Sequence, residues 1–573
     1  MADPIAILSR RLEPAFAALG GPGTSAAPAL RRSSRADYQA DGALALAKPL
    51  KRSPRDIATE IVAAADLDDL CERVEISGPG FVNLTLRAGT LTALLGAMAA
   101  DPRLDVVQDT RTETVVVDYS GPNVAKEMHI GHLRSTVIGD AICRLYDFLG
   151  HDVIRQNHLG DWGTPFGMLV EHLLDVGEAG AALSLGDLNA FYQQARRKFD
   201  TDEAFKERSR RRVVALQAGD PETLRLWRVL YDQSSQYFQK VYERLGVLLT
   251  PADDDGESRY NPMLGSVIDE LAALGLLTES DGAQCVFPPG FTNREGQPLP
   301  MIVRKADGGY GYAATDLACI RMRAREFGAT RMAYVVGAPQ REHFEMVFAV
   351  ARMASWITDK HDVQHVAFGS ILGSDRKVFK TRSGQQIKLI HLLDESVDRA
   401  ATLVRTKFPD LDEHTVQTVA REVGIGAVKY ADLSSDRIKD YIFDWDRMLA
   451  FDGNTAPYLQ YAYTRIRSIF RKAGSQTPAT APRLTEPAER ALGLQLLGFE
   501  EAVRTAAERY QPHRLCSYLY DLATVFTTFY ETCPVLRAEP VQTRESRLAL
   551  CDLVARVLKT GLGLLGIDAP DRM

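Results

Sequence analysis

The stretch DYSGPNVAKEMHIGHLRST, residues 118–136, decides the fold of this chain together with the segments on either side of it. Residues 114–119 are mostly apolar and β-branched, which is typical of a buried parallel strand. Beyond the stretch, apolar residues recur at helical spacing until Gly150, where the helix should end. Residues 152–156 then return as a second strand. The sequence therefore predicts one β-α-β unit with two histidines at the entrance of its helix.

These two histidines have a chemical meaning at that position. A helix N-terminus carries unpaired N–H groups and a partial positive charge, which attract phosphate. His129 and His132 can point into the same space, and Gly131 lets a flat base approach the backbone closely. Two imidazole donors suit the charge that develops on an α-phosphate under attack. A capped surface helix with two incidental histidines is the alternative, and the ordered strand, break and helix disfavour it.

Length, composition and net charge limit the classes of protein to which this chain can belong. A chain of 573 residues should form about three or four domains, and its composition is that of an ordinary soluble globular protein. No apolar run is long enough to span a bilayer, and the first residues lack a secretory pattern. The seven cysteines are scattered without CxxC, which argues against a zinc site and a disulfide framework and favours a reducing cytosol. Because the net charge is −7, any nucleic-acid partner must bind a local patch.

The motif HIGH, residues 129–132, is the signature of class I aminoacyl-tRNA synthetases. The wider text SGPNVAKEMHIGHLRST, followed by NHLGDWGTPFG at residues 157–167, closely resembles arginyl-tRNA synthetases, and the resemblance spans nearly the whole chain. It implies ATP-dependent ligation of L-arginine to tRNA(Arg) through arginyl-adenylate, with Mg²⁺ carried by ATP. It also implies that tRNA binds before the adenylate forms. We expect a cytoplasmic monomer with no membrane partner.

We predict an α/β protein with a Rossmann-like parallel-sheet core, a small α+β N-terminal domain and an all-α C-terminal bundle. Residues 1–112 form the N-terminal domain, and residues 113–390 form the core with a helical insertion at about 180–250. Residues 391–450 are a helical connector, and residues 451–573 are the C-terminal bundle. The resemblance implies that the first domain binds tRNA and the last binds the anticodon.

Local patterns support this division. The first domain has helical segments at residues 5–19, 42–50 and 55–65. Residues 308–368 restore an alternation of helix and strand, which favours an open parallel sheet with ligands at the carboxyl ends of its strands. After about residue 400 strand patterns vanish and only helical patterns remain.

The segment GPGFVNLTL, residues 78–86, alternates like a strand. Phe81 and Asn83 share one face, where a ring and an amide can stack on and hydrogen-bond an unpaired base. An incidental exposed ring is the alternative from the residues alone. Arginyl-tRNA synthetases carry a similar GFxN strand that touches the tRNA D-loop, so the resemblance implies tRNA contacts for both residues.

A second candidate RNA surface is PYLQYAYTRIRSIFRK, residues 457–472. It interleaves tyrosines with arginines, and such mixtures suit unstacked bases and phosphates. We take Tyr458 and Arg465 as candidate tRNA contacts. A helix with a buried aromatic stripe and a solvated basic face is an equally good interpretation.

The loop KVFKTRS, residues 377–383, stands where class I synthetases carry a second motif, KMSKS. It departs from that motif, and the resemblance implies the degenerate form of the arginyl enzymes. The leaving pyrophosphate requires cationic charge, which Lys380 and Arg382 can supply. Lys126, just before the histidines, is a third cation, which the family uses in place of the missing lysine. How the three divide the work stays open.

The resemblance also implies an arginine pocket built from five residues. A guanidinium needs carboxylates and planar acceptors around its donors. We expect Asp316 to face the guanidinium and Tyr312, one helical turn earlier, to pack on the substrate chain. Asn123 and Gln340 should hold the polar ends, and Asp118 lies at the end of the first strand. Each of three residues also has a purely structural interpretation. Asp316 can be a charge on the exposed face of a helix, Asp118 can be a turn or cap residue, and Gln340 can simply start a helix.

Two other functions share parts of this pattern. A different HxGH enzyme, either another class I synthetase or a small nucleotidylyltransferase, would use the same phosphate chemistry. Cysteinyl enzymes need zinc ligands, enzymes with an editing domain need a longer chain, and small nucleotidylyltransferases lack a helical RNA-binding bundle. A non-catalytic tRNA-binding paralogue is the second alternative, and the presence of both HIGH and the basic loop disfavours it.

Overall fold

The computed structural model describes residues 3–20, 27–184, 188–377, 379, 387–474 and 481–573. The N-terminal domain is α+β, as predicted, and its four strands form an antiparallel sheet in the order β1-β2-β4-β3. Its elements are α1 (Pro4–Gly20), β1 (Leu30–Arg32), β2 (Tyr38–Ala40), α2 (Gly42–Leu50), α3 (Pro54–Ala64), β3 (Cys71–Ser77), β4 (Phe81–Leu86) and α4 (Ala88–Ala100).

The α/β core begins with the predicted β-α-β unit, β5 (Thr114–Asp118), α5 (Ile130–Phe148) and β6 (Asp152–Gln156). The helical insertion follows as α6 (Thr164–Ser184), α7 (Leu188–Thr201), α8 (Glu203–Gln217) and α9 (Pro221–Leu245). A helix and a small antiparallel sheet come next, α10 (Leu264–Ala273), β7 (Thr278–Ser280), β8 (Ala283–Val286) and β9 (Met301–Arg304). Nothing in the sequence patterns above predicted that small sheet.

The second half of the core restores the alternation with α11 (Tyr312–Arg325), β10 (Arg331–Tyr334), α12 (Arg341–Met353) and β11 (Asp362–His365). The four core strands form one parallel sheet in the order β11-β10-β5-β6, which confirms the predicted fold class. Asp118 pairs in register with Gln156 on one side and Tyr334 on the other. The carboxyl ends of neighbouring strands therefore lie in one row.

The described residues of the C-terminal half are helical apart from one short parallel β-ladder. Its elements are β12 (Ile371–Leu372), α13 (Leu389–Lys407), α14 (Glu413–Leu433), β13 (Tyr441–Ile442), α15 (Trp445–Met448), α16 (Ala456–Ala473), α17 (Pro487–Leu496), α18 (Phe499–Glu508), α19 (His513–Thr532) and α20 (Val541–Leu564). The prediction of no strand after residue 400 is wrong at β13, which pairs with β12. Two residues are too few to leave an alternating pattern in the sequence.

Arginines hold the N-terminal domain against the C-terminal bundle. Arg490 of α17 contacts Asp37 at 2.6 Å and donates to the carbonyl of Leu86 at 2.7 Å. Arg32 donates in the other direction, to the carbonyl of Leu494 at 2.6 Å. The two ends of the chain therefore pack together. None of the helices in the described part of the chain combines the length and apolar character needed to cross a bilayer.

Candidate active site

The start of α5 fixes the orientation of both signature histidines. His129 is the N-cap, and its Nδ1 accepts from the Gly131 N–H at 3.0 Å. His132 Nδ1 accepts from the His129 N–H at 3.1 Å. Because each Nδ1 is an acceptor, each neutral ring carries its proton on Nε2. The two ring centroids are 4.0 Å apart. This reciprocal capping interaction therefore leaves two neighbouring Nε2–H groups that can donate to an anion.

Both histidines are neutral at neutral pH. Burial lowers the pKa of His132 to about 3, and the charges of His129 and Lys126 contribute in the same direction. Burial, followed by the charge of Lys126, also lowers the pKa of His129. The lowered pKa favours the neutral form of both imidazoles, which can donate from Nε2, and the positive charge beside them belongs to Lys126.

The segment that follows the predicted phosphate-binding loop is bonded to the signature. The Ile130 N–H donates to the Ile387 carbonyl at 3.0 Å, and the Leu389 N–H donates to the Met128 carbonyl at 2.9 Å. The Lys388 Nζ lies 2.8 Å from Glu127 Oε2. Consequently α13 begins directly beside the histidines.

On the other side of the loop, the Phe379 N–H donates to the Ile371 carbonyl at 3.1 Å, and the Phe379 ring stacks on Phe443 with centroids 4.7 Å apart. The predicted cations Lys380 and Arg382 lie outside the described residues.

A cleft of about 580 Å³ lies beside the start of α11 and is lined by one of the predicted pocket residues. Tyr312 lines it and is 70% exposed. Asp316, one helical turn on, has its Oδ2 2.6 Å from His343 Nε2. The His343 ring in turn meets Tyr312 edge-on, with centroids 4.8 Å apart. Gln340 is exposed at the N-cap of α12 and makes no side-chain cap bond, so its amide is available to a ligand.

The two remaining predicted pocket residues lie at and just beyond the end of β5. Asp118 is buried and pairs with Arg323 of α11 at 2.8 Å, which gives it a partner within the chain. Asn123 is exposed, and its backbone forms an isolated parallel β-bridge with Gly160. A Cβ on Gly160 would lie 2.2 Å from the Asn123 Oδ1, so a larger residue there would displace the amide of Asn123.

Carboxylates dominate the electrostatics of this region. Burial raises the pKa of Glu257, which lines the cleft, to about 7, and the charges of Asp161 and Asp316 add to the effect. Burial would lower the pKa of His158, but a hydrogen bond with Asp255 and the charge of Asp118 outweigh burial and raise it to about 9. A cationic ligand relieves such mutual repulsion between acids.

One group of possible metal ligands occurs among the described residues, formed by His158, Asp255 and Cys319. Asp255 already pairs with Arg259 at 3.0 Å, and Arg323 lies 4.0 Å away. These two guanidinium groups compete with a metal ion for the same carboxylate.

Three family models match the chain. The model for "tRNA synthetases class I (R), catalytic domain" matches residues 94–445. The models for the "Arginyl tRNA synthetase N terminal domain" and the "DALR anticodon binding domain" match residues 7–86 and 459–573. This chain belongs to the class I arginyl-tRNA synthetases.

Full-length relatives and solved structures agree with this family. An arginine–tRNA ligase of Thermobifida fusca is 56% identical over 100% of both chains. The arginyl-tRNA synthetase of Plasmodium falciparum is 29% identical with a TM-score of 0.85, and 99% of each chain is covered. The arginyl-tRNA synthetase of Thermus thermophilus is 26% identical with a TM-score of 0.83, covering 99% of this chain and 100% of that one. The predicted family and enzyme class, an ATP-dependent arginine–tRNA ligase, are confirmed.

The predicted tRNA contacts of the synthetase lie in different surroundings. Phe81 is partly exposed, whereas Asn83 is 5% exposed and donates to Ser77 at 2.7 Å. In α16, Tyr458 is partly buried, and its ring centroid lies 5.8 Å from that of Tyr520. Arg465 is exposed, and its guanidinium carbon lies 4.5 Å from the ring centroid of Tyr530. The roles of these residues toward tRNA stay predictions.

Sequence reasoning missed three side chains that shape the synthetase site. His343 belongs to the text GAPQREHFE and lies three residues after Gln340, a spacing that places both on one face of α12 and could have revealed it. Arg323, the partner of Asp118, left no local signal. Lys388, which pairs with Glu127, follows a loop whose path no periodicity predicts.

Proposed function

We propose that this synthetase binds L-arginine in the acidic cleft at α11 and ATP at the start of α5. The observation that carries the proposal is the pairing of residues 387–389 with the histidine signature, because it brings the two predicted ATP-binding segments together. Tyr312 lines the cleft at the start of α11, and Arg323 of the same helix pairs with Asp118 at the carboxyl edge of the sheet. Such an edge is where open α/β sheets bind their ligands.

Arginine recognition depends on charge and on the shape of the guanidinium. Asp316 offers a carboxylate to its planar fork of donors, and His343 orients that carboxylate. Tyr312 packs on the aliphatic part of the substrate. Asn123 and Gln340, both exposed, hold its polar ends. Asp118 contributes through its ion pair with Arg323, which fixes α11 against β5.

The first chemical step is adenylate formation. A carboxylate oxygen of arginine attacks the α-phosphorus of ATP, and the bond to the bridging oxygen breaks so that pyrophosphate leaves. The Nε2–H groups of His129 and His132 donate to the phosphate oxygens as charge builds there, and Gly131 leaves room for the nucleotide. Lys126, Lys380 and Arg382 balance the charge of the leaving group. Mg²⁺ arrives with ATP, bound mainly by phosphate oxygens.

The second step transfers arginine to tRNA(Arg). The 2′-hydroxyl of the terminal ribose attacks the activated carbonyl, and AMP leaves. Phe81 and Asn83 in the N-terminal domain and Tyr458 and Arg465 in the C-terminal bundle are the proposed tRNA contacts. The enzyme works as a cytoplasmic monomer, and its seven buried free cysteines suit a reducing compartment.

ATP–pyrophosphate exchange with each amino acid, with and without tRNA, tests this function. We expect exchange with arginine alone, and only when tRNA(Arg) is present. Exchange with another amino acid would overturn the assignment of the acidic cleft. Exchange without tRNA would overturn the order of binding.

A further inference from the structure

Lys126 is held by a residue of the helical insertion. Its Nζ lies 4.4 Å from the ring centroid of Tyr192, which belongs to α7. The same ammonium acts on both signature histidines, because its charge lowers the pKa of His129 and of His132. Lys126 therefore lies between an aromatic face from the insertion and the two phosphate-binding imidazoles.

The position of the Tyr192 ring is determined by its neighbours on α7. Phe191 is fully buried and packs against His172 of α6, with ring centroids 4.8 Å apart. Leu188 and Ala195 are buried on the same side of the helix. These contacts anchor α7 to the rest of the insertion, so that the partly exposed ring of the next residue faces the signature turn.

The signature turn is anchored to the insertion at a second point. Ala125, which has a left-handed backbone with φ +61°, donates its N–H to Ser234 Oγ of α9 at 2.9 Å. Two insertion helices thus contact two consecutive residues ahead of the histidines. The backbone of the turn and the side chain of Lys126 are both held before any ligand binds.

We propose that Tyr192 is a positioning residue that holds the Lys126 ammonium beside the phosphates of ATP during adenylate formation. The inference rests on the proposed function. A lysine ammonium is a point charge on a flexible stem, and fixing it costs side-chain entropy. The face of an aromatic ring attracts the cation and restricts it in advance, so that less is lost when ATP binds. The insertion thereby contributes to catalysis without touching substrate.

The test is a mutant cycle in the full-length enzyme, measured by arginine- and tRNA-dependent ATP–pyrophosphate exchange. Tyr192→Leu should lower kcat by about tenfold, the scale of one lost cation–ring contact. Tyr192→Phe keeps the ring face and should retain most of the activity. In a Lys126→Met background, Tyr192→Leu should cause no further loss, because the group it positions is gone.

A matched control lies on the same helix. Phe199 also lies near a cation, with the Arg196 guanidinium 5.6 Å from its centroid, and no contact among the described residues joins this pair to the signature turn. Phe199→Leu should leave exchange unchanged. Equal losses in Tyr192→Leu and Phe199→Leu, or a Tyr192→Leu loss that persists in full without Lys126, would mean that Tyr192 only stabilises the insertion. Absence of arginine-dependent exchange in the wild type would instead count against the proposed function.

Discussion

The two edges of the catalytic sheet are both rich in charge, yet they use it differently. At the amino edge, Arg331 pairs with Glu113 at 3.0 Å and with Asp362, and it reaches the Tyr510 hydroxyl at 3.3 Å. Nearby, the Asp109 carboxylate contacts both the His151 ring and the Arg504 guanidinium. Several of these groups line a cavity of about 320 Å³, where Asp109, Glu113, His151, Arg331 and Arg504 already pair with one another.

At the carboxyl edge, the polar groups keep capacity for a ligand. His129 and His132 use only their Nδ1 atoms on the backbone, which leaves both Nε2–H groups for an anion. Tyr312 is 70% exposed, and Asn123 and Gln340 are exposed. The contrast shows that a cavity with charged walls is not by itself a site. What distinguishes the carboxyl edge, where we propose that the substrates bind, is hydrogen-bonding capacity that the fold leaves unused.

The largest expected effect at the carboxyl edge follows loss of His132. His132→Ala removes the Nε2–H that we propose donates to the α-phosphate, and adenylate formation should fall by about 10²-fold or more, the scale of one lost oxyanion donor. It also removes the acceptor of the His129 N–H. ATP–pyrophosphate exchange measures adenylate formation directly.

His132→Asn separates the two roles. Its amide oxygen can accept the His129 N–H, so the cap and the stability should return toward the wild-type value, while exchange stays low because the Nε2–H donor is missing. A near-normal exchange rate in His132→Ala would refute the assignment of this histidine.

The carboxyl edge also shows how far the sequence reaches. The sheet and the histidine position were predictable because they depend on local signals: an apolar β-branched run, a glycine-proline break and helical periodicity. Asp118 and Arg323 pair across 205 residues, and no local pattern carries such a contact. Tyr192 contacts Lys126, and Lys388 contacts Glu127, each from an element distant in sequence. No local pattern predicts these contacts either.

Asn83 illustrates a different limit. Alternation along the strand placed it with Phe81 on one face, which suggested an accessible amide. However, β4 is an inner strand of a four-stranded sheet, and Asn83 is 5% exposed because both faces are covered at that position. Period-two patterning separates the faces of a strand, but it does not tell whether the second face is open.

The next effect concerns the arginine end of the carboxyl edge. Asp316→Asn keeps the size of the side chain and a partner for His343. It removes the charge that we propose faces the guanidinium. The KM for arginine in tRNA-dependent exchange should rise by about 10- to 100-fold, the scale of a lost hydrogen bond to a charged group. Glu326→Gln, exposed at the other end of the same helix, is the matched control and should leave KM unchanged. An unchanged KM in Asp316→Asn would remove this residue from the pocket.

At the amino edge the expected effect is on stability instead of chemistry. Arg331→Met leaves Glu113 and Asp362 without their shared cation, which should cost about 2–4 kcal/mol of stability, between a lost hydrogen bond and a broken buried pair. The unfolding temperature should fall by several degrees while the kcat of exchange stays near the wild-type value. A large loss of kcat at unchanged stability would mean that this edge, too, takes part in the reaction.

The smallest effect links the signature to pH. In the folded state the pKa of His132 is lowered from 6.5 to about 3 by burial, whereas the unfolded chain keeps the ordinary value. Between these two values the unfolded state binds a proton that the folded state refuses, so stability falls as the pH falls below about 6.5. Relative to His132→Asn, the wild type should lose about 1–2 kcal/mol more between pH 7 and pH 5. Thermal unfolding of both proteins across this range measures the difference. Parallel curves would show that the ring is protonated as readily in the fold as in water, and the neutral donor assigned to it would then be wrong.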